Sequence, residues 1–419
     1  MTHFDAIIIG AGPAGSTAAI LLARVGWSVA LVEKQAFPRR KVCGECIAAS
    51  NLPLLDALGI GAEFAAAAGP ELRHVELMHG AGCVRAALPP AADAKHRWGG
   101  ALGREILDPL LLDRARQSGA HILQPCRVHA IDGVVGAWNC HVHGRNNSAP
   151  QTLSTPLVID AHGSWEALHV EHGQVELGQI EQGHAKTPRS RANLFAFKAN
   201  FRGGTLAPGV LPVLALDGGY GGIVVADGGI TTLACCIRRD RLDALRLAAP
   251  GQSAGAVVEA WLKQQCAGVD AALAGATRDG AWLSSGPLKP GIRLQASDSI
   301  LRIGNAAGEA HPIIGEGMSM ALQSAWMLCT LLLAADRRAT GWQSAVARSY
   351  AGQWRRQFAP RLRLAATFAH LAMRPITAAP LFALARAWPG LLTLGARRSG
   401  KLTSAARIDP VPLTTGVAT

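Results

Sequence analysis

The segment from Asp5 to Glu33, DAIIIGAGPAGSTAAILLARVGWSVALVE, limits what this chain can fold into more than any other. Ala6-Ile7-Ile8-Ile9 is a short apolar, β-branched run, the mark of a strand covered on both faces. Gly10, Gly12 and Gly15 follow at once in the spacing G-x-G-x-x-G. A helical stretch then runs from Ser16 to Val25, and a second apolar strand from Ser28 to Val32 ends in Glu33. Together they make a complete βαβ unit for a dinucleotide. Gly10 permits a tight turn, Gly12 lets the backbone approach a pyrophosphate, and Gly15 allows close helix–strand packing. The first N–H groups of the helix are free to meet phosphates. Glu33 can accept hydrogen bonds from both hydroxyls of an adenosine ribose. An unphosphorylated adenine dinucleotide, FAD or NAD, is therefore expected.

The rest of the chain supplies the other layers of an α/β fold. Leu72 to Ala87 reads as strands, Ile106 to Ser118 as an amphipathic helix, and Gly119 to Leu123 as another strand. Arg127-Val128 and Gly133 to Val142 suggest a hairpin, and Leu157 to Ala161 a buried strand. Strand signals recur at Asn193 to Phe201, Val210 to Leu216, Gly222 to Val225 and Ile230 to Ile237, with a helix from Ser253 to Cys266. Ser299 to Asn305 is a last buried strand ending in a turn. The uncharged run from Gly317 to Ala335 is nearly long enough to cross a bilayer, but its Ser319, Gln323, Ser324 and Thr330 favour a buried helix. From Asp336 the chain is helical, and Pro360, Pro375, Pro380 and Pro389 are expected to divide it into short pieces, with a frayed end from Thr403 to Thr419.

Charge and cysteine bound the setting. The net charge is +12, and from Ala321 onward thirteen basic residues face two acids, an excess of +11. Those arginines form either a solvated helical face or a face for an anionic partner, such as a membrane surface, an acidic carrier protein or a substrate's phosphates. No nucleic-acid-binding motif accompanies them. The first strand begins within ten residues of Met1, and nine cysteines without a signal peptide read as reduced thiols in a cytoplasmic protein, one that could sit peripherally on a membrane. Cys43 and Cys46 form a lone C-x-x-C, so no metal site is expected.

Four segments together resemble the single-Rossmann FAD enzymes that include aromatic hydroxylases, flavin halogenases and geranylgeranyl reductases. They are GAGPAG with Glu33, Arg104 with Asp108, IDAHGSW at Ile159 to Trp165, and IGNAAGEAHPIIGEGMSMAL at Ile303 to Leu322. The resemblance implies that Gly10, Gly12, Pro13, Ala14 and Gly15 hold the pyrophosphate, Glu33 the ribose, and Arg104 the phosphates or ribityl chain. Asp160 and Gly163 match the family's Asp-Gly motif in part. Gly304-Asn305 matches a Gly-Asp motif whose carboxylate bonds a ribityl hydroxyl, here with an uncharged amide acceptor. Pro312, Gly315, Glu316, Gly317 and Met318 would border the isoalloxazine, with helix N-terminal amides at its N1–O2 edge. Lys34, Arg40, Cys43 and Val128 complete the implied cofactor set.

Within that superfamily, Lys41-Val42-Cys43-Gly44-Glu45 and Ala306-Ala307-Gly308 with Gly315-Glu316-Gly317 look like the geranylgeranyl-reductase-like branch, and the halogenase signature W-x-W-x-I-P is absent. The implied fold is a doubly wound FAD-binding domain (1–70, 100–168 and 290–335) interrupted by a mixed-sheet substrate domain (71–99 and 169–289), then a helical C-terminal region (336–419). The implied function is FAD-dependent oxidation–reduction of a hydrophobic organic substrate, free or carrier-bound. Three readings stay open: reduction of a carbon–carbon double bond by hydride from flavin N5, with Cys43 and Glu45 as catalytic residues; hydroxylation through a flavin C4a-hydroperoxide; or electron transfer without substrate turnover. No second dinucleotide fingerprint follows, so NAD(P)H would serve as a transient electron donor.

Overall fold

Strand Ala6–Ile9 lies at the centre of a parallel sheet, as its all-apolar sequence requires. In the computed structural model, which describes residues 2–144, 150–164, 166–171, 174–179, 193–295 and 299–399, the strand order is Leu301–Arg302, Val158–Asp160, Ala6–Ile9, Val29–Val32, His121–Leu123. Neighbours pair in parallel throughout. Alternate side chains face opposite layers. Ala6, Ile8, Val29 and Leu31 pack on helices Pro13–Arg24, Arg104–Gln117 and Gly317–Ala334. Ile7, Ile9, Ala30 and Val32 pack on a second sheet through Val128, Ile131, Trp138 and Cys140. Both faces of the strands are thus buried, which is what their β-branched runs encode.

That second sheet contains the hairpin Cys126–Val134 and Ala137–Gly144, then Gln151–Thr155. A further hairpin, Glu166–Glu171 and Gln174–Gln179, pairs with Cys126–Val134 and so joins the nucleotide side. The expected boundary at 168/169 falls inside its first strand. Trp165 and the tail from 400 to 419 lie outside the described residues.

The substrate domain is one large mixed sheet. Leu194–Arg202, Thr231–Arg238, Gly219–Val225 and Val210–Leu216 run antiparallel in turn. Val210–Leu216 then pairs in parallel with His74–His79, which forms a hairpin with Gly82–Ala87. One face packs Phe197, Phe201, Leu233 and Ile237 on helix Ala254–Gln265 through Val258, Trp261 and Leu262. The opposite face carries Ala196, Lys198, Thr232 and Cys236 and looks toward the nucleotide domain.

Helix Gly317–Ala334 is long and apolar enough to cross a membrane, yet it is 67% buried within the fold, as the sequence suggested. The proline-divided C-terminal region is a correction. One helix, Trp342–Ala372, runs through Pro360 for 31 residues. Proline removes one backbone hydrogen bond, but Trp354, Phe358, Leu362 and Ala365 are buried against the core on either side and hold the helix continuous. Pro375 opens the next helix, Pro375–Ala387, at 104° to the first, and Gly390–Arg398 follows.

Candidate active site

A cavity of about 570 Å³ runs between the two domains, lined at one end by Gly12, Pro13 and Ala14 and at the other by the large sheet. The glycine end has the shape of a pyrophosphate cradle. Gly10 has φ +102°, and a Cβ there would lie 2.7 Å from the Ala161 carbonyl oxygen. A Cβ on Gly15 would sit 1.8 Å from the Gly10 carbonyl oxygen. Gly12, by contrast, faces open space, with the Arg104 guanidinium 3.5 Å from its would-be Cβ. Helix Pro13–Arg24 starts there with no side-chain cap and no acid in its first turn, so its amides are available to an anion. Glu33 is buried and accepts hydrogen bonds from the amides of Ala11 (2.9 Å) and Gln35 (2.8 Å).

The charges around this cradle are largely balanced. Arg104 grips Asp108 through two bonds of 2.6 and 2.8 Å. Burial alone would lower the Arg104 pKa, but Asp108 outweighs it and holds the guanidinium protonated. Arg39 lies 3.8 Å from Glu33 and 4.0 Å from Asp108. Lys41 lines the cavity, and burial first, then Arg104 and Arg39, push its pKa down to about 8. Against the two carboxylates this leaves an excess of positive charge, which suits a pyrophosphate.

A second uncapped helix N-terminus opens on the same cavity. Gly315, at φ +65°, and Gly317 and Met318 line it, while Glu316 turns away to Arg361 (3.8 Å). Beside them Asn305 donates from its amide to the Ser164 hydroxyl (2.9 Å), which donates to Glu309 (3.0 Å). Arg293 closes the ring, bonding Glu309 (2.8 Å) and the Asn305 carbonyl (2.7 Å). The amide nitrogen of Asn305 is therefore committed to the protein, and its side-chain oxygen would be the atom left for a ribityl hydroxyl of bound FAD. Asp160 is held beneath this loop by the backbone amide of His162 (3.2 Å) and by its imidazole. Ala161, Gly163 and Ser164 form the cavity wall above it.

The loop between the two ends carries Cys43 and Glu45. Cys43 is half-buried, lines the cavity, and accepts the Glu45 amide (3.4 Å). Glu45 takes the left-handed conformation, φ 60°, unusual for a residue with a Cβ. Its carboxylate is 1% exposed and meets the equally buried Lys198 ammonium, the Thr232 hydroxyl (2.7 Å) and the Arg104 amide (3.3 Å). That geometry makes Glu45 a clamp between the loop and the large sheet.

The sheet end is apolar. Ala196, Val213, Ile223 and Leu288 line it beside Tyr220 and Cys236, which bond one another. Tyr220 Oη lies 3.3 Å from His311 Nδ1, and the His311 ring meets that of His370 at 5.7 Å. Burial raises the Tyr220 pKa well above its usual value, while burial and His370 lower that of His311 to about 4. Both are neutral near pH 7.

The model for an FAD-binding domain matches residues 3–180. The chain carries such a domain, and the glycine end fits that cofactor. It is an FAD-binding protein. Among known proteins the chain is 26% identical over 355 residues to conditioned medium factor receptor 1 of Dictyostelium discoideum, covering 79% of this chain and 64% of that protein. It is 27% identical to the menaquinone reductase of Mycolicibacterium smegmatis, covering 79% and 76%. It is 32% identical to the tryptophan 2-halogenase of Chondromyces crocatus, over 38% and 30%. The chain thus spans less than two thirds of the first and third of these relatives. Of solved structures, the myxobacterial halogenase CndH superposes with a TM-score of 0.71 at 18% identity, covering 95% and 91%, and the monooxygenase PqsL of Pseudomonas aeruginosa with 0.64 at 18%, covering 91% and 100%. Both likenesses concern the fold.

Of the residues expected to hold the cofactor, Gly12, Pro13, Ala14, Cys43, Arg104, Gly163, Gly304, Asn305, Pro312, Gly315, Gly317 and Met318 line one cavity. Other expected positions lie elsewhere. Val128 is packed in the core between the two nucleotide-side sheets. Arg40 bonds Glu105 (2.7 Å) and Asp279 (3.1 Å), tying the two domains together, and Lys34 is exposed. Ser164, Lys198, Tyr220 and Glu309 were given no role from the sequence, and Lys41 only a place in a motif. Lys198 did leave a signal: it is a lone charge at an inward position of the strand Leu194–Arg202.

Proposed function

We propose that this flavoenzyme reduces a carbon–carbon double bond of a hydrophobic organic substrate, as in the geranylgeranyl-reductase-like branch that its Cys43-Gly44-Glu45 loop resembles. The observation that carries the reading is one continuous cavity, leading from that loop to an apolar sheet face. The name of the Mycolicibacterium smegmatis relative, a menaquinone reductase, supports it, because menaquinone is a hydrophobic unsaturated molecule. Bound FAD would supply two electrons and one hydrogen to the double bond, refilled from a transient donor such as NAD(P)H. The chain's own groups bind and protonate. The Cys43 thiol, whose sulfur accepts the Glu45 amide, gives a proton to the adjacent carbon and regains one from water. Glu45 positions that loop through Lys198 and Thr232. The amides at Gly317 and Met318 favour negative charge on the neighbouring flavin edge. The apolar wall holds the substrate and excludes water.

A second reading, monooxygenation, is favoured by the fold shared with PqsL. The two separate in one experiment. FAD-loaded protein is reduced anaerobically and mixed with a long-chain menaquinone or with oxygen. The reductase reading expects menaquinone to reoxidise the flavin while one carbon–carbon double bond of its side chain gains two hydrogens and the quinone ring stays oxidised. It expects Cys43→Ala to slow that step at least tenfold. Labelled oxygen from O₂ appearing in an organic product, with no anaerobic turnover, would establish the monooxygenase.

A further inference from the structure

The helix Pro375–Ala387 has two apolar sides, and the fold accounts for one. Ala378, Leu381, Phe382 and Ala385 face inward, with Ala378 and Ala385 buried against the large sheet. At about 100° per residue, Ala383, Ile376, Ala387, Pro380 and Leu384 fall within an outward arc of about 100°. All five are exposed, and none is polar. Ile376 is 88% exposed and Leu384 53%, and Trp388 just beyond is 58% exposed. A helix on a protein surface in water normally turns polar residues outward. Around this face stand the exposed arginines Arg374, Arg386, Arg397 and Arg398, and no Asp or Glu occurs between Trp342 and Arg398. The face also frames an opening: Leu384, Leu394 and Arg398 are exposed and at the same time line the substrate end of the cavity.

We infer that this face docks on the surface of an anionic lipid bilayer, with Ile376, Leu384 and Trp388 dipping below the headgroups. The arginines match the lipid charge, and the aliphatic arc matches the acyl boundary. An indole at the helix end is suited to the interface between them. A cationic face alone would fit an acidic protein equally well, but a broad aliphatic arc between the arginines fits hydrocarbon. The cavity mouth then opens onto the phase where a hydrophobic substrate dissolves. The inference rests on the proposed hydrophobic substrate for its purpose, while the docking stands on the surface itself.

Full-length FAD-loaded protein would be co-sedimented with phosphatidylglycerol–phosphatidylcholine vesicles and with pure phosphatidylcholine vesicles, at low and high salt. Binding to the anionic vesicles is expected, weakened at least tenfold by Ile376→Asp with Leu384→Asp. It should weaken similarly in the variant combining Arg374→Gln, Arg386→Gln, Arg397→Gln and Arg398→Gln, or in high salt. Unchanged flavin absorbance and melting temperature would show that each variant is folded. Absence of binding at low salt, or equal binding by the aspartate variant, would overturn the inference. So would capture by an acidic carrier protein in place of vesicles. Turnover of menaquinone in detergent micelles, assayed alongside, separates the two claims. Turnover without vesicle binding removes the docking and leaves the proposed function. Vesicle binding without turnover does the reverse.

Discussion

The two ends of the central cavity are built on different physics. At the dinucleotide end, the walls are turns and helix starts, and most of the charged side chains are paired within the protein, with Lys41 adding an excess of positive charge. Arg104 holds Asp108, Arg361 faces Glu316, and Arg293 holds Glu309. Recognition there is by backbone conformation: Gly10 at φ +102°, Gly315 at φ +65°, and two uncapped helix N-termini. At the substrate end, alternating small and branched side chains of one sheet meet three helices, with Tyr220, Cys236, Glu76 and Arg398 among the polar exceptions. Burial of apolar area is non-directional, so that end selects for size and hydrophobicity and tolerates variety. The loop Cys43-Gly44-Glu45 joins the two, and the Glu45–Lys198 pair pins it to the sheet.

The pair offers the largest test of that contrast. Glu45→Ala strands a buried ammonium, and it should destabilise the protein by about 3–5 kcal/mol in chemical denaturation. Lys198→Met in the same chain should recover most of the loss, because an apolar side chain of similar length needs no partner. Wild-type stability in the single variant would mean the two ends are joined by something else. Next comes Gly15→Val. Its Cβ would overlap the Gly10 carbonyl oxygen, so FAD affinity measured by calorimetry should fall by about 1–3 kcal/mol or more. A substitution of the same kind at Val213, on the sheet, should leave that affinity intact.

Asn305→Asp gives a smaller effect with a sign set by the structure. From the motif alone a carboxylate would strengthen the bond to a ribityl hydroxyl. In the fold, the new acid would lose the donor to Ser164, whose hydroxyl proton already serves Glu309. FAD binding should therefore weaken by about 1 kcal/mol, the size of one hydrogen bond. Tighter binding would show that the Ser164–Glu309 ring rearranges. The smallest effect is pH dependence. The Lys41 pKa is pushed down to about 8 in the cofactor-free protein, by burial first and then by Arg104 and Arg39. Phosphates favour the charged form, so FAD binding raises that pKa and takes up a proton. Affinity should be highest below pH 8 and decline as pH rises above it. Lys41→Met should flatten the profile in a fluorescence titration.

The same contrast governs what could be read in advance. Glycine spacing and a terminal acid specify a backbone path, so the nucleotide sheet and the residues that meet at Gly12, Gly163, Gly304 and Gly315 were legible. The partners of those residues were not. Ser164, Glu309 and Arg293 converge on Asn305 through tertiary folding, and no local spacing links them. Pro360 shows local propensity overruled, because Trp354 and Phe358 before it and Leu362 after it are anchored in the core. The expected boundary at 168/169 cuts the hairpin of Glu166–Glu171 and Gln174–Gln179, whose pairing with Cys126–Val134 leaves no trace in local periodicity. The arginine excess was visible, but the apolar arc among the arginines emerged only once the inward face of Pro375–Ala387 was known.

The central claim is that one cavity brings FAD at its glycine end and a hydrophobic substrate at its sheet end into contact. Oxidised, FAD-loaded protein titrated anaerobically with a long-chain menaquinone, with the visible flavin spectrum recorded, tests it most directly. A saturable spectral shift at one ligand per chain is predicted. Val213→Trp, which fills the sheet end, should abolish the shift while FAD stays bound. A spectrum that does not respond in the wild type, or a shift that persists unchanged in Val213→Trp, would contradict the account.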